Sequence, residues 1–388
     1  MLTTRPFGEP AERGELREAV RSLLARHLPP ERARQRDREG SFDRATWDAL
    51  GAAGLLGLGC PEEVGGSGGT VGDSLAVIEE IARVLPSLAV DFALGGMVMR
   101  LLTEDDAGAA RALLPEFADG RAIASFGLSE PGVGTDLLNL RTTAREVDGE
   151  WVLTGQKLWI SLAMEADVIF TLARTDEAEP EHRSRGLSLI AVPTGQPGVV
   201  IRRVHLAGMR AAISTEVFLD GARAPLDNVV GGRGRGMSAL GRTLDVERVL
   251  AAGISLGIGR AALDLHLQHL KDRQAFGRAL GSLQVLQHAA SDSITELAAA
   301  RALAGCAVAA IESGAPAREL SGMAKLNAAE ATARIVDRGM RAMGAMGLAE
   351  ESAMQMYFRD ARLQLFSPVS NEMVRNFLGE AMGLPRSY

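Results

Sequence analysis

Residues 124–136, ASFGLSEPGVGTD, and residues 154–161, TGQKLWIS, are separated by a turn at Val147-Asp148-Gly149-Glu150. In the first piece Ser129, Glu130, Gly132, Gly134, Thr135 and Asp136 form a loop. Its glycines Gly127, Gly132 and Gly134 are expected at positive φ, where main-chain N–H groups reach a ligand closely. The second piece, with Trp151, Leu153, Leu158, Trp159 and Ile160 among small polar residues, predicts a strand. Trp159 beside the hydroxyl of Ser161 offers a flat apolar wall and one directional hydrogen bond, which suits a planar ring. Each piece alone reads as a surface hairpin; together they read as one wall of a binding site.

Around this stretch, from about Gly120 to Gly232, β-prone runs at Trp151–Leu153, Val168–Ala173, Leu187–Val192, Val199–Val204 and Val217–Leu219 predict a small β-barrel or sandwich. Asp176 to Arg185 is polar and predicts a mobile loop, while the glycines of Gly231–Gly236 predict a hinge. Towards the N-terminus, Leu16, Val20, Leu23, Leu24 and Leu28 predict a helix stopped by Pro29-Pro30. Phe42, Trp47, Leu50, Leu55 and Leu56 form a second apolar face. PEEVGGSGG (Pro61–Gly69) lacks the Lys-Ser/Thr of a P-loop and reads as a turn. Leu75, Ile78, Ile81, Ala82, Phe92, Leu94 and Met97 continue the helical pattern. Towards the C-terminus, long helices over about 237–272, 283–312, 317–343 and 350–365, with a short one near 371–382, predict an antiparallel four-helix bundle. The chain thus reads as a helical domain over 1–120, a β domain over 121–233 and a helical bundle domain over 234–388.

The 388 residues, 46% of them hydrophobic, can bury large cores. The net charge of -7, with no basic block interleaved with aromatics, does not indicate a nucleic-acid partner. Cys60 and Cys306 are too few and too far apart for a disulfide framework, and both read as packing residues. The N-terminal MLTTRPFGEPAERGELREAV has no apolar leader, and no later run reaches about 18 apolar residues, so no membrane partner and a cytoplasmic location are expected. His266 and His269 lie one helical turn apart without a third ligand; they are expected to be solvated, and no metal is expected.

LSEPGVGTD followed by GQKLWIS resembles the flavin-cradling signature of the acyl-CoA dehydrogenase family, and the helix, β, helix-bundle order agrees. PEEVGG resembles a turn common in that family. The resemblance implies FAD as cofactor, with Phe126, Leu128 and Ser129 along the isoalloxazine edge, Trp159 against the ring, Ser161 near N5, and Thr135 near the substrate's pantetheine. Arg273-Gln-Ala-Phe276-Gly277 is similar to the motif that reaches the FAD pyrophosphate of a neighbouring subunit, and Gln284 matches its partner; an Arg fork suits a diphosphate. A homotetramer, a dimer of dimers, is implied. Arg341-Ala-Met-Gly344-Ala345 replaces the family's Gln and paired Gly at the dinucleotide: Gly344 is kept, Arg341 offers donors, and Ala345 costs closeness of approach.

Removing an acyl α-proton needs a carboxylate beside the thioester. Many relatives take it from a Glu near the C-terminus. Aligning Arg359-Asp360-Ala361 and Arg375 with the family places Pro368 at that position, without carboxylate or main-chain N–H. The isovaleryl-CoA and long-chain dehydrogenases use a helix beginning LDxER, and Leu244-Asp245-Val246-Glu247-Arg248 fits that pattern. Glu247 is therefore expected as the base, with Leu244, Asp245, Arg248 and Pro368 at the substrate. Ser370 and Glu372 fall where relatives hold the adenine end of FAD.

The reading is a FAD-dependent acyl-CoA dehydrogenase, acting on an acyl-CoA or acyl-carrier-protein thioester, with an electron-transfer flavoprotein as acceptor. Two alternatives remain: an oxygen-using flavin oxidase or monooxygenase, which the Pro368 loop permits, and a non-catalytic subunit that completes a partner's FAD site. Peroxide or hydroxylated product would mark the first, and a colourless protein that turns yellow only on co-expression the second.

Overall fold

The computed structural model describes residues 9–105, 107–178 and 181–386. Residues 1–8 of the N-terminal reading, and Glu179 and Pro180 of the expected mobile loop, lie outside them. Helix α1 (Ala11–His27) stops before Pro29, and Pro30 opens α2 (Pro30–Glu39) at a position that needs no N–H donor. Asp43 accepts from the Thr46 N–H and starts α3 (Arg44–Ala52). A Thr70–Asp73 capping box starts α4 (Val71–Val84), and Pro86 starts α5 (Pro86–Glu104). Short helices α6 (Gly108–Arg111) and α7 (Leu114–Ala118) complete this unit.

Strands β1 (Ala124–Gly127), β2 (Thr143–Val147), β3 (Glu150–Ile160), β4 (Val168–Arg174), β5 (Leu187–Pro193), β6 (Val199–Arg203), β7 (Thr215–Pro225) and β8 (Val229–Val230) follow. They form one mixed sheet in the order β6-β7-β3-β2-β4-β5-β8, with β1 parallel to β4. Asp148 and Gly149 both take positive φ, the turn that suits strand twist, and so join β2 to β3. One face buries Trp151, Leu153, Ile169 and Val217. The other packs Phe126, Phe170 and Leu189 against Met97, Val98 and Leu101 of α5 and Leu240 of the next helix.

Gly231, Gly232 and Gly234, all at positive φ, lead into α8 (Gly236–Asp272). A two-stranded hairpin, β9 (Gln274–Ala275) and β10 (Arg278–Ala279), precedes α9 (Gln284–Glu312), α10 (Arg318–Met343) and α11 (Ala345–Leu348). Helices α8 and α10 run parallel: the Ser321 hydroxyl donates to Asp245, that of Thr332 to the Ser255 carbonyl, and Gly339 lies beside His266. The helix expected over 350–365 is shorter, α12 (Ala353–Asp360), because Ser352 caps its start and Asp360 turns to accept the Met209 N–H at 2.6 Å. A final helix, α13 (Asn371–Ala381), closes the fold. Arg359 on α12 joins all three units, donating to Asp37 of α2 at 2.5 Å and to the Ala207 carbonyl at 2.7 Å.

Three expectations are corrected. Helices α5, α8 and α9 are each long and apolar enough, by length and composition, to cross a membrane. One or two charges break a count of consecutive apolar residues yet leave the average high enough for a span. Within α8 the most apolar window is 83% buried by surrounding protein, which accounts for its composition. His266 is fully buried and neither ring nitrogen has a partner among the described residues; burial lowers its pKa and favours the neutral ring. It shares a stripe with Leu263 and Leu270, which are also buried. Cys60 is packed, but Cys306 is exposed on the outer side of α9.

Candidate cofactor and catalytic site

Trp159 owes its orientation to an irregularity in β3. The pairing with β7 shifts between Leu158 and Ile160, Trp159 takes φ 67°, and the residue is 55% exposed near the end of β3, beyond the reach of β2. Gly127, Gly132 and Gly134, expected at positive φ, do not adopt it. The loop turns by other means: Glu130 accepts from the N–H groups of Arg141 (2.7 Å) and Thr142 (2.9 Å), and Glu130 and Val133 bond each other's main chain. Gly132 and Gly134 have open space where a Cβ would stand, so the loop's outer side is clear for a ligand.

The contacts that weld the two pieces together are ones the sequence reading missed. Lys157, fully buried, donates to Glu130 at 2.9 Å and to the Leu128 carbonyl at 3.1 Å. The Leu158 N–H donates to the Ser129 carbonyl at 2.9 Å, and the Ser125 hydroxyl to the Ser161 carbonyl. Burial lowers the Lys157 pKa against the pull of Glu130; burial also works to raise Glu130, but Lys157 and the hydrogen bonds hold it below the ordinary carboxylate value. Lys157 follows Trp151 and Leu153 on the inward alternation of the strand, and that parity was the available signal. Phe126 is buried against Phe170, so it offers a cofactor only main chain, whereas Leu128 and Ser129 are half-buried and Thr135 is exposed.

Met237 and Leu240 pack into the same cluster as Phe126 and Leu128, which brings the start of α8 to the cradle. Two turns on, Leu244 and Asp245 are half-buried. Asp245 accepts from Arg248 at 3.2 Å and from Ser321 at 2.8 Å. Glu247 is partly accessible to solvent, yet the protein around it pushes its pKa up to about 7, with Arg248 opposing. A cleft lined by Arg248, Arg318, Val369, Met373 and Phe377 joins this turn to the segment after Pro368. Arg248 and Arg318 both stack on Phe377, with guanidinium carbons 5.7 and 4.3 Å from the ring centre. Pro368 is exposed, and the Ser370 hydroxyl caps α13 by accepting from Met373, with Glu372 in the first turn.

The remaining sequence-predicted residues lie elsewhere. Arg273 caps the far end of α8, twenty-six residues beyond Glu247, which at 1.5 Å per residue is roughly 40 Å away. Phe276 and Gly277 form the tip of the hairpin, with Phe276 91% exposed, and Gln284 opens α9. Because α8 and α10 are parallel, Arg341, Gly344 and Ala345 reach this same end. Arg341 is exposed and paired with Asp337 at 2.9 Å; Gly344 takes φ 59° and ψ -138°, a conformation that requires glycine. The candidate residues therefore form two groups, one around the first turns of α8 and one at its far end.

Both groups fit parts of a flavin dinucleotide. The exposed indole and open glycine loop suit a ring, while exposed Arg273, with no ion-pair partner among the described residues, suits a diphosphate.

Family models described as the N-terminal, middle and C-terminal domains of acyl-CoA dehydrogenase match residues 10–121, 125–222 and 234–383. The chain is 32% identical to acyl-CoA dehydrogenase FadE12 of Mycobacterium tuberculosis, across 100% of both chains. It is 30% identical to the mitochondrial isovaleryl-CoA dehydrogenase of Pongo abelii, covering 95% of this chain and 88% of that one. The crystal structure of an acyl-CoA dehydrogenase from Geobacillus kaustophilus superposes with a TM-score of 0.93 at 26% identity, covering 98% of this chain and 100% of that one.

Proposed function

The chain belongs to the acyl-CoA dehydrogenase family, and from that premise we propose that it converts an acyl-CoA or acyl-carrier-protein thioester to the trans-2-enoyl thioester, with Glu247 as base. Its cofactor is FAD, which when bound accepts the β-hydrogen as hydride at N5. The observation that carries the proposal is Glu247 itself: a carboxyl group in the LDVER turn, pushed up to about 7, next in sequence to Arg248, which lines a cleft together with Val369, the residue after Pro368. A base with that pKa is half-ionised near neutral pH and keeps enough proton affinity to take an α-proton.

Lys157 and Glu130 hold the wall against which Trp159 supports the flavin ring. Asp245 and Arg248, fixed to each other and to Ser321, orient the thioester's polar arm, with Thr135 on the opposite side and Leu244 towards the acyl chain. Pro368 has no N–H to offer the thioester oxygen, but the Val369 N–H donates to no acceptor among the described residues and is available to it. Ser370 and Glu372 hold the adenine end. Arg273, Phe276 and Gln284, with Arg341, Gly344 and Ala345, serve the dinucleotide of a neighbouring copy. The roughly 40 Å between the two groups supports a cofactor site shared between two copies, so at least a dimer, and the proposed assembly is a homotetramer built as a dimer of dimers. An electron-transfer flavoprotein is the proposed acceptor and the cytoplasm the proposed location.

The test is anaerobic titration of the FAD-loaded protein with a panel of acyl-CoA thioesters. Bleaching of the flavin by at least one is expected, and no bleaching by any overturns the proposal. Glu247→Gln is expected to keep FAD and lose bleaching.

A further inference from the structure

Lys325 is almost completely buried on α10, yet neither of its two hydrogen-bond acceptors is a carboxylate. Its ammonium donates to the Val369 carbonyl at 2.6 Å and to the Asn371 side-chain oxygen at 2.7 Å. Both acceptors belong to the short segment between Pro368 and the start of α13. Burial pulls its pKa down to about 8; Glu372 of α13 and Glu330 of α10 oppose the shift, and Arg248 of α8 adds to it. The group is therefore still mostly charged at neutral pH. Keeping an ammonium there costs free energy, and charge-assisted hydrogen bonds offset it only if the acceptors stay in place. One turn earlier on the same face, Ser321 donates to Asp245, which also accepts from Arg248 of the cleft. A single stripe of α10 thus touches both walls of the cleft.

We propose that Lys325 is a positioning residue for the cofactor: its ammonium pins the Val369–Asn371 main chain to α10 and thereby fixes Ser370 and Glu372 where the adenine end of FAD is held. The inference rests on the FAD arrangement of the proposed function and is independent of which thioester is oxidised. Lys325 touches neither ring nor substrate, so its loss alters how firmly FAD is held and leaves the ring's surroundings as they were.

The experiment measures FAD dissociation by flavin fluorescence, and the visible spectrum of bound flavin, without substrate. Lys325→Met is expected to weaken FAD binding tenfold or more, the effect of losing a charged hydrogen bond, with the spectrum unchanged. Lys325→Arg is expected to restore most of the affinity. Asn371→Ala, which keeps the lysine and removes one acceptor, is expected to weaken binding a few-fold and carries the test if Lys325→Met does not fold. Wild-type affinity in both Lys325→Met and Asn371→Ala overturns the proposal. So does a loss of affinity that comes with an altered flavin spectrum and a parallel fall in melting temperature, since that marks general damage. Absence of bleaching by acyl thioesters in the wild type would refute the dehydrogenase reading and leave this result standing.

Discussion

The helical turn Leu244–Arg248 and the segment Phe366–Asn371 face the same cleft and are held to the same helix, but they are built differently. The turn lies inside a 37-residue helix, so main-chain hydrogen bonds fix its side-chain directions before any tertiary contact is made. Between Pro368 and Ser370, no main-chain N–H donates within the described residues, and one buried ammonium restrains the segment from below. A base on the helix keeps its aim when the loop changes; a base on the loop would not. With the proposed base Glu247 seated on α8, position 368 is free to be a proline.

The largest effect separating the two walls is expected from Glu247→Gln, which should slow anaerobic flavin reduction by about 10² to 10⁴ while FAD content stays constant. Adding Pro368→Glu should recover little of that rate in stopped-flow measurements; full recovery would show the loop to be an equal seat and break the comparison. A smaller effect concerns stability. Because the folded pKa of Glu247 lies above its unfolded value, its contribution is fully present below pH 4.5 and is lost as pH rises through about 7. Glu247→Gln should therefore stabilise the fold at pH 8 by on the order of 1–3 kcal/mol, after allowing for partial exposure, and hardly at all at pH 4. Urea denaturation at the two pH values reads this difference. Pro368→Ala restores a donor where Val369 already offers one, and should change the single-turnover rate by less than about tenfold. The smallest effect is that of Ser321→Ala, about 1 kcal/mol in urea, with the slope of the transition unchanged.

The fold was legible because its signals are local. Pro29-Pro30 ended a helix, Asp148-Gly149 turned a hairpin, and the glycines before α8 punctuated the change from sheet to bundle. What the sequence hid are partnerships over distance. Lys157 and Glu130 both lie in the opening motif, but their ion pair depends on a strand and a loop meeting across 27 positions. Lys325 looks like any lysine in an Ala-rich helix until one notes that Ser321, Ala324, Ala328 and Thr332 around it are the buried stripe. The expected left-handed glycines failed for a related reason: Glu130 shapes the loop through hydrogen bonds, and the positive φ fell on Trp159, which no propensity would select.

Arg359 bears on how the molecule comes apart. Its guanidinium grips α2 through Asp37 and the chain leading to β7 through Ala207, while the neighbouring Asp360 holds Met209 from the same helix. Three segments that read as separate domains along the sequence are thereby coupled at one point. One calorimetric transition for all three is the outcome this link favours, and Arg359→Ala is expected to broaden or split it.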